Sequence, residues 1–428
     1  MCGIFGFIGN RSAAPLLIEG LRRLESRGYD SSGIVVKNGS LQVHKKVGNV
    51  SELSKILPNH VEGCSGIAHT RWATHGGVTD ANAHPHTSND GKIALVHNGI
   101  INNAKGLRRR LEDRGFELKS ETDSEALVHM ISIGIDSGQT PLESVRETLR
   151  RVTGTWGLCV IFKEYDVIVC ARNGSPLILG KGEGESFVSS EPHTLTQYTR
   201  DHYILEDGDL ALITKDGIDI SRLEGGISST SMTVFEDDWG EPDMAGYPHY
   251  MLKEIHEQPD AIRRCISGRL DPTNGSATLG GLKLEPIRLR TASHVRLIGC
   301  GTAYNACKIG QLAIESLARI PAMAHIASEF RYNDPVINPN AIHFAVSQSG
   351  ETADTLSAVK EIQLKGGDVH GIINVVGSTI ARLCGKGVYI HSGPEQAVAS
   401  TKAFTNMVAS LLMSVSYTHL TLPTIMPV

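Results

Sequence analysis

The feature that most constrains this chain is a change in the rhythm of its apolar runs near the middle. Up to about residue 220 the runs are short and bounded by Gly, Asn and Asp: GIFGFIG, SSGIVVKNGS, GIAHTRWATHGG, KIALVHNGIINN, GTWGLCVIF and YDVIVCARNG. Short apolar runs between turn residues predict strands joined by tight turns. Two longer stretches, APLLIEGLRRLESRG and ETDSEALVHMISIGID, carry helical spacing, and the second opens with Thr122 as a candidate cap and acidic residues in its first turn. The result is a sheet-rich α+β layout with helices on its faces. From Glu224 to Asp243 the chain becomes rich in Gly, Ser, Thr and Asp, as a linker does. Beyond HYMLKEIHEQPDAIRRCI, a predicted helix, one unit recurs: an apolar run, a small polar loop, a helical pattern. VRLIGCGTAYNACKIGQLAIESLA, AIHFAVSQSGETADTLSAVKEIQLKGG, VHGIINVVGSTIARLC and GVYIHSGPEQAVASTKAFTNMVASLLM all follow it. That iteration predicts an open parallel sheet wound with helices, with ligands bound at the carboxyl ends of the strands.

Charge and cysteine usage narrow the partners. The 41 basic and 46 acidic side chains leave a net charge of −5, too balanced to point to nucleic acid or an anionic membrane. The one dense basic stretch, GLRRRLEDRGF, interleaves Glu112 and Asp113 with its arginines and reads as a solvated helix face. Eight cysteines without CxxC spacing fit a reducing compartment better than a disulfide framework or a zinc site, so no metal or cofactor is expected and the cytoplasm is the default location. No apolar stretch reaches membrane-spanning length, and no charged segment precedes the N-terminal apolar run.

Four stretches carry candidate chemistry. In MCGIFGFIG the cysteine is the second residue, and it is small enough for initiator methionine to be removed, which leaves Cys2 with a free α-amine beside its own thiol. An amine titrating near neutrality can take the thiol proton, directly or through water. HTRWATHGG sets Arg71, Trp72, Thr74 and His75 in one loop. An arginine there can clamp a carboxylate bidentately, although a surface arginine beside a core tryptophan reads the same. In VHNGII, Asn98 and Gly99 are a turn or two donors converging on an oxyanion. In SETDSEA, Asp123 stands near a helix start, where it caps the helix or holds an ammonium group.

Taken in order, MCGIFGFIG, ESRGYDSSG, GIAHTRWATHG, NAHPH, VHNGIIN and SETDSE resemble the class II (N-terminal nucleophile) glutamine amidotransferases over residues 2–223. The resemblance implies an αββα sandwich. It implies Cys2 as the nucleophile on the carboxamide of L-glutamine, with Asn98 and Gly99 as the oxyanion hole. It also implies Arg71 on the substrate carboxylate, assisted by Thr74 and His75, and Asp123 on its α-amine. The resemblance further implies Arg27 and Trp72 at the rim, the tryptophan as part of the gate through which ammonia leaves.

In the second half, SQSGETADT clusters Ser347, Ser349 and Thr352 around Gly350 between a predicted strand and helix, where a helix N-terminus favours a phosphate. This loop, with CGTAYNA and ASTKAFT, resembles the phosphosugar-binding motifs of sugar isomerase (SIS) domains, over residues 249–415 with 224–248 as linker. The resemblance implies a doubly wound α/β sheet, and Thr302, Ser347, Gln348, Ser349, Thr352, Val398 and Ala399 as the residues around a sugar phosphate. An amidotransferase domain followed by a SIS domain is the layout of enzymes that pass glutamine nitrogen to fructose 6-phosphate, usually as homodimers, at the head of amino-sugar synthesis. No pyrophosphate-binding or adenylating motif supports other amidotransferase classes. Residues 416–428, SYTHLTLPTIMPV, place Pro and Thr where a helix should continue, and read as a foreign tail on a chain cut short of a second SIS domain. The chain as given is therefore expected to retain glutamine hydrolysis and part of the sugar-phosphate recognition. The alternative is a glutaminase with a regulatory SIS module.

Overall fold

The computed structural model describes residues 2–25, 28–58, 60–73, 76–234, 244–271, 273, 275–284, 288 and 291–419, with backbone alone for 416–419. Arg27, Thr74 and His75 fall outside the described residues, as do 235–243 of the expected linker and 420–428 of the expected tail. The chain divides into two compact units, Met1–Pro242 and Asp243–Val428.

The first unit is built on two antiparallel sheets. One has eight strands, in spatial order Met232–Val234, Asp201–Ile204, Ile178–Lys181, Ser186–Ser189, Gly3–Ile8, Ser65–Arg71, Ser31–Asn38 and Ser40–Val47. The other has six: Ile218–Arg222, Asp209–Ile213, Ile168–Asn173, Gly154–Phe162, Ile93–Ile101 and His86–Thr87. Every residue of Gly3–Ile8 is buried, because both faces of its sheet are covered. Alternate side chains serve different cores. Ile4 and Ile8 join Ile67, Val96, Ile161 and Ile168 between the sheets. Phe5 and Phe7 pack with Leu17, Leu21 and Leu24 of the outer helix Ala13–Leu24. On the far side, Leu95, Leu158 and Val160 pack against Leu127, Ile131 and Val145 of helices Glu125–Asp136 and Pro141–Leu149. The layers are thus helix, sheet, sheet, helix.

This unit runs further than the 223 boundary drawn from sequence. Met232–Val234 pairs antiparallel with Asp201–Tyr203, as an added edge strand whose three side chains are all exposed. Three exposed residues are too short a run to show a period, so the segment reads as linker.

The second unit holds a five-stranded parallel sheet. In chain order its strands are Val295–Gly299, Ala322–Ile326, Ile342–Ser347, Val369–Ile373 and Gly387–Tyr389, and in space they run second, first, third, fourth, fifth. The order reverses between the first and third strands, which makes their carboxyl ends the topological switch point. One core packs Leu297, Phe344 and Ile372 with Ala306 and Met407 of helices Thr302–Ala313 and Lys402–His419; on the opposite face Ile298, Ala345 and Ile373 pack with Leu356 and Val359 of helix Ala353–Leu364. The last helix continues to His419, four residues into the stretch expected to break it.

Candidate active site

The nucleophile candidate sits at the start of the strand Gly3–Ile8, beside the end of its neighbour Ser65–Arg71. Pairing of Gly3 with Thr70 brings Cys2 to Trp72, seventy residues away. The Trp72 N–H donates to Cys2 Sγ at 3.3 Å, and the thiol donates to the Trp72 carbonyl at 3.6 Å. The indole is 39 % exposed and meets Tyr29 edge-on, with ring centroids 5.4 Å apart.

Asn98 approaches from the other sheet. Its Nδ2 donates to the Cys2 carbonyl oxygen at 3.0 Å, and its Oδ1 lies 3.0 Å from His69 Nε2. Gly99 has φ +137°, and a Cβ there would stand 2.1 Å from the Thr155 carbonyl oxygen, so only glycine lets the strand pass. Asp123, on the turn before the helix Glu125–Asp136, does not cap it: its Oδ2 accepts the Ile101 N–H at 2.7 Å. Thr122, the expected cap, instead bonds His86 Nε2 at 2.9 Å through its hydroxyl, because the N-cap position falls two residues later at Ser124. His97 lies between Ser124 Oγ at 2.8 Å and the Thr155 carbonyl at 3.2 Å.

Arg71 is buried, and its guanidinium donates to the Gly77 carbonyl at 3.2 Å. Burial pulls its pKa down, while the charges of Cys2, Asp30 and Asp123 act in the opposite direction. One cation thus shares a field with the thiol and with two carboxylates. The loop after Arg71 is tied at both ends. Ala73 N–H donates to Asp30 Oδ2 at 2.8 Å; Gly77 N–H donates to Glu121 Oε2 at 3.1 Å; and Asn82 Nδ2 bonds both the Gly77 carbonyl and Glu121. Those bonds from Gly77 and Asn82 hold the Glu121 carboxyl below its ordinary range.

Beneath Asn98 lies a stack of buried histidines. His69 and His84 rings are 4.3 Å apart, and His84 meets His86 at 4.5 Å. Burial drives all three down, His69 to about 3 and the other two well below their ordinary value, so they are neutral near pH 7. Among the described residues, no group of three or more His, Cys, Asp or Glu is arranged to hold a metal.

In the second unit the loop after Ile342–Ser347 folds on itself. Ser347 Oγ accepts the Gly350 N–H at 3.0 Å and lies 3.2 Å from Thr352 Oγ1, while Ser349 Oγ accepts the Glu351 N–H at 3.1 Å. Gly350 has φ +65°, and a Cβ there would fall 1.9 Å from Ser378 Oγ. Thr352 is the N-cap of the twelve-residue helix Ala353–Leu364, and Gln348 gives its carbonyl to Val375 N–H. Thr302 opens the helix after the adjacent first strand. Ser347 and Thr302 therefore flank the switch point. Val398, 65 % exposed, and Ala399 lie in the loop before the last helix, a loop held past the end of the fourth strand by Asn374 through Gly393 and Ser392.

Residues 69–197 match the model of a glutamine amidotransferase domain, and residues 288–417 match that of a SIS domain. Along 96 % of its length the chain is 46 % identical to glutamine–fructose-6-phosphate aminotransferase (isomerizing) of Chlorobaculum tepidum and covers 68 % of that protein. It is 45 % identical to the protein of the same name from Thermus thermophilus, again over 96 % of this chain and 68 % of the relative. The chain belongs to the glutamine–fructose-6-phosphate aminotransferase family. Within that family frame, the structure brings Cys2, Trp72 and Asn98 into direct contact, and sets Arg71 and Asp123 in the same electrostatic neighbourhood. Sequence reasoning assigned no role to Tyr29, Asp30, Asn82, Glu121 or His69. NAHPH was a visible signal for the histidine stack, and the pairing of Asp30 and Glu121 with a loop more than forty residues away was not.

Proposed function

We propose that this chain hydrolyses glutamine at Cys2 and that the nitrogen released is destined for fructose 6-phosphate held in the second unit, giving glucosamine 6-phosphate. With Met1 removed, the α-amine of Cys2 takes the thiol proton. Sγ attacks the carboxamide carbon and the carbonyl electrons move onto oxygen, where Asn98 Nδ2–H and the Gly99 N–H receive them. The tetrahedral centre collapses, ammonia leaves with a proton from the α-amine, and water releases glutamate from the thioester. Arg71 holds the substrate carboxylate and Asp123 its ammonium group.

The observation that carries this reading is the pair of contacts at Cys2: its thiol on the Trp72 backbone and its carbonyl on Asn98. Nucleophile and oxyanion donor are thereby locked together although 96 residues separate them. In the second unit, Ser347, Gln348, Ser349 and Thr352 with the helix N-terminus receive the phosphate, and Thr302, Val398 and Ala399 border the sugar. The neighbouring hydroxyls of Ser347 and Thr352 at the switch point support that assignment.

The test follows the two halves separately. Glutamate release from glutamine is expected from the wild-type chain and is lost in Cys2→Ala. Fructose 6-phosphate, titrated calorimetrically, is expected to bind, and Thr352→Val to weaken it about tenfold through loss of a hydroxyl donor. Glutamate release by Cys2→Ala at the wild-type rate, or unchanged binding in Thr352→Val, contradicts the respective half.

A further inference from the structure

Asn98 has to present Nδ2, not Oδ1, to an oxyanion, and an amide on its own has no preference between the two. Its orientation here follows from its neighbours. The Cys2 carbonyl oxygen, 3.0 Å away, can only accept, so the amide nitrogen faces it. Oδ1 is therefore the atom 3.0 Å from His69 Nε2, and an oxygen facing that nitrogen requires Nε2 to carry the hydrogen. The opposite tautomer would turn a lone pair on Oδ1 and strand an N–H at Nδ1, which is buried and has no hydrogen-bond partner. Turning the amide instead would press Oδ1 against the Cys2 carbonyl.

His69 is well placed to impose this choice. It is 0 % exposed, lies within the strand Ser65–Arg71, and is flanked in register by Ile4 on one side and Gly33 on the other. Its ring is packed against His84, which meets His86, which is anchored on the Thr122 hydroxyl. Burial keeps the ring neutral, so it lends one hydrogen and no net charge. We propose that His69 is a positioning residue for glutamine hydrolysis: its Nε2–H holds Asn98 Oδ1 and thereby aims Asn98 Nδ2 at the developing oxyanion. One Nδ2 hydrogen stays on the Cys2 carbonyl and the other serves the substrate. The inference rests on the roles proposed above for Cys2 and Asn98.

The test is a kinetic cycle on the full chain. Removing an oxyanion donor outright costs about a hundred- to a thousandfold in turnover, so His69→Leu, which frees the amide to turn, should lower kcat about ten- to a hundredfold with KM changed less than about threefold. His69→Gln, which can present an N–H near the same point, should recover kcat to within about fivefold of wild type. In an Asn98→Ala background, His69→Leu should change kcat by less than about twofold, because the group it orients is gone. The tautomer is read independently of any variant by 15N-histidine NMR of the wild-type chain, where His69 should be protonated at Nε2. A folded His69→Leu with wild-type kcat, an equal loss in the Asn98→Ala background, failure of His69→Gln to recover turnover, or an Nδ1–H tautomer each overturns the inference. If glutamate release instead proved independent of Cys2, the underlying reading would fall, and that result is distinguishable from all four.

Discussion

Acidification to pH 5 should destabilise the first unit through its buried histidines. His69 titrates normally near 6.5 and is held at about 3 in the fold by burial. Below the unfolded value the unfolded chain takes up a proton at this ring and the folded chain does not. The stability it contributes is therefore complete above about pH 6.5 and falls as pH drops toward 3. At pH 5 the difference amounts to about 2 kcal/mol from this one ring. His84, His86 and His97 are lowered in the same direction, with burial the largest cause in each, so their contributions add to the loss. Against a total stability of about 5–15 kcal/mol for an ordinary domain, that is a large fraction. Glu125 does not confuse the window. Burial acts upward on it, but the neighbouring His129 ring and hydrogen bonds from the Lys119 and Ser120 amides and the Ser120 hydroxyl hold it at about 2, so its contribution is lost only below about pH 4.5. Trp72 and Trp156 both lie in the first unit, so the change in their fluorescence during urea unfolding follows that unit. The unfolding free energy should fall by at least about 2 kcal/mol between pH 7.5 and pH 5. An unchanged or higher value at pH 5 would refute the claim that these rings are buried and neutral.

Two further predictions separate roles within the site. Asn98→Ala should lower kcat for glutamine hydrolysis about a hundred- to a thousandfold with little change in KM, whereas Arg71→Lys should chiefly raise KM because a bidentate clamp is lost; steady-state kinetics in which both variants move the same parameter would contradict the assignment. Gly99→Ala should destabilise the first unit by about 2 kcal/mol or more and abolish turnover, since a Cβ there falls 2.1 Å from the Thr155 carbonyl at positive φ; a wild-type urea midpoint would show that this backbone is free to adjust.

Much of this was legible in the sequence. Strands such as Gly3–Ile8 and Ile342–Ser347 announce themselves as apolar runs between turn residues, and the recurring run, polar loop and helix give the parallel sheet. Which face of Gly3–Ile8 meets which layer was not readable, because all six residues are buried and no polar alternation marks a side. Met232–Val234 was hidden for the opposite reason, having nothing buried. Thr122 looked like a helix cap by local pattern, yet its hydroxyl is drawn to His86, 36 residues away. Asp30 and Glu121 fix the two ends of the loop after Arg71 only because strand pairing brings them there, and spacing along the chain carries no trace of it. Cys2, Trp72 and Asn98 were visible as residues; their contact through the Cys2 backbone carbonyl was not.

The proposed role of Cys2, with its free α-amine, as nucleophile on glutamine is tested most directly by treating the chain with 6-diazo-5-oxo-norleucine, an electrophilic glutamine analogue, and mapping the adduct by mass spectrometry. One label per chain is expected, on an N-terminal peptide that begins at Cys2, and excess glutamine should prevent it. A label on any of the other seven cysteines, or full glutaminase activity in chains that retain Met1, would contradict the account.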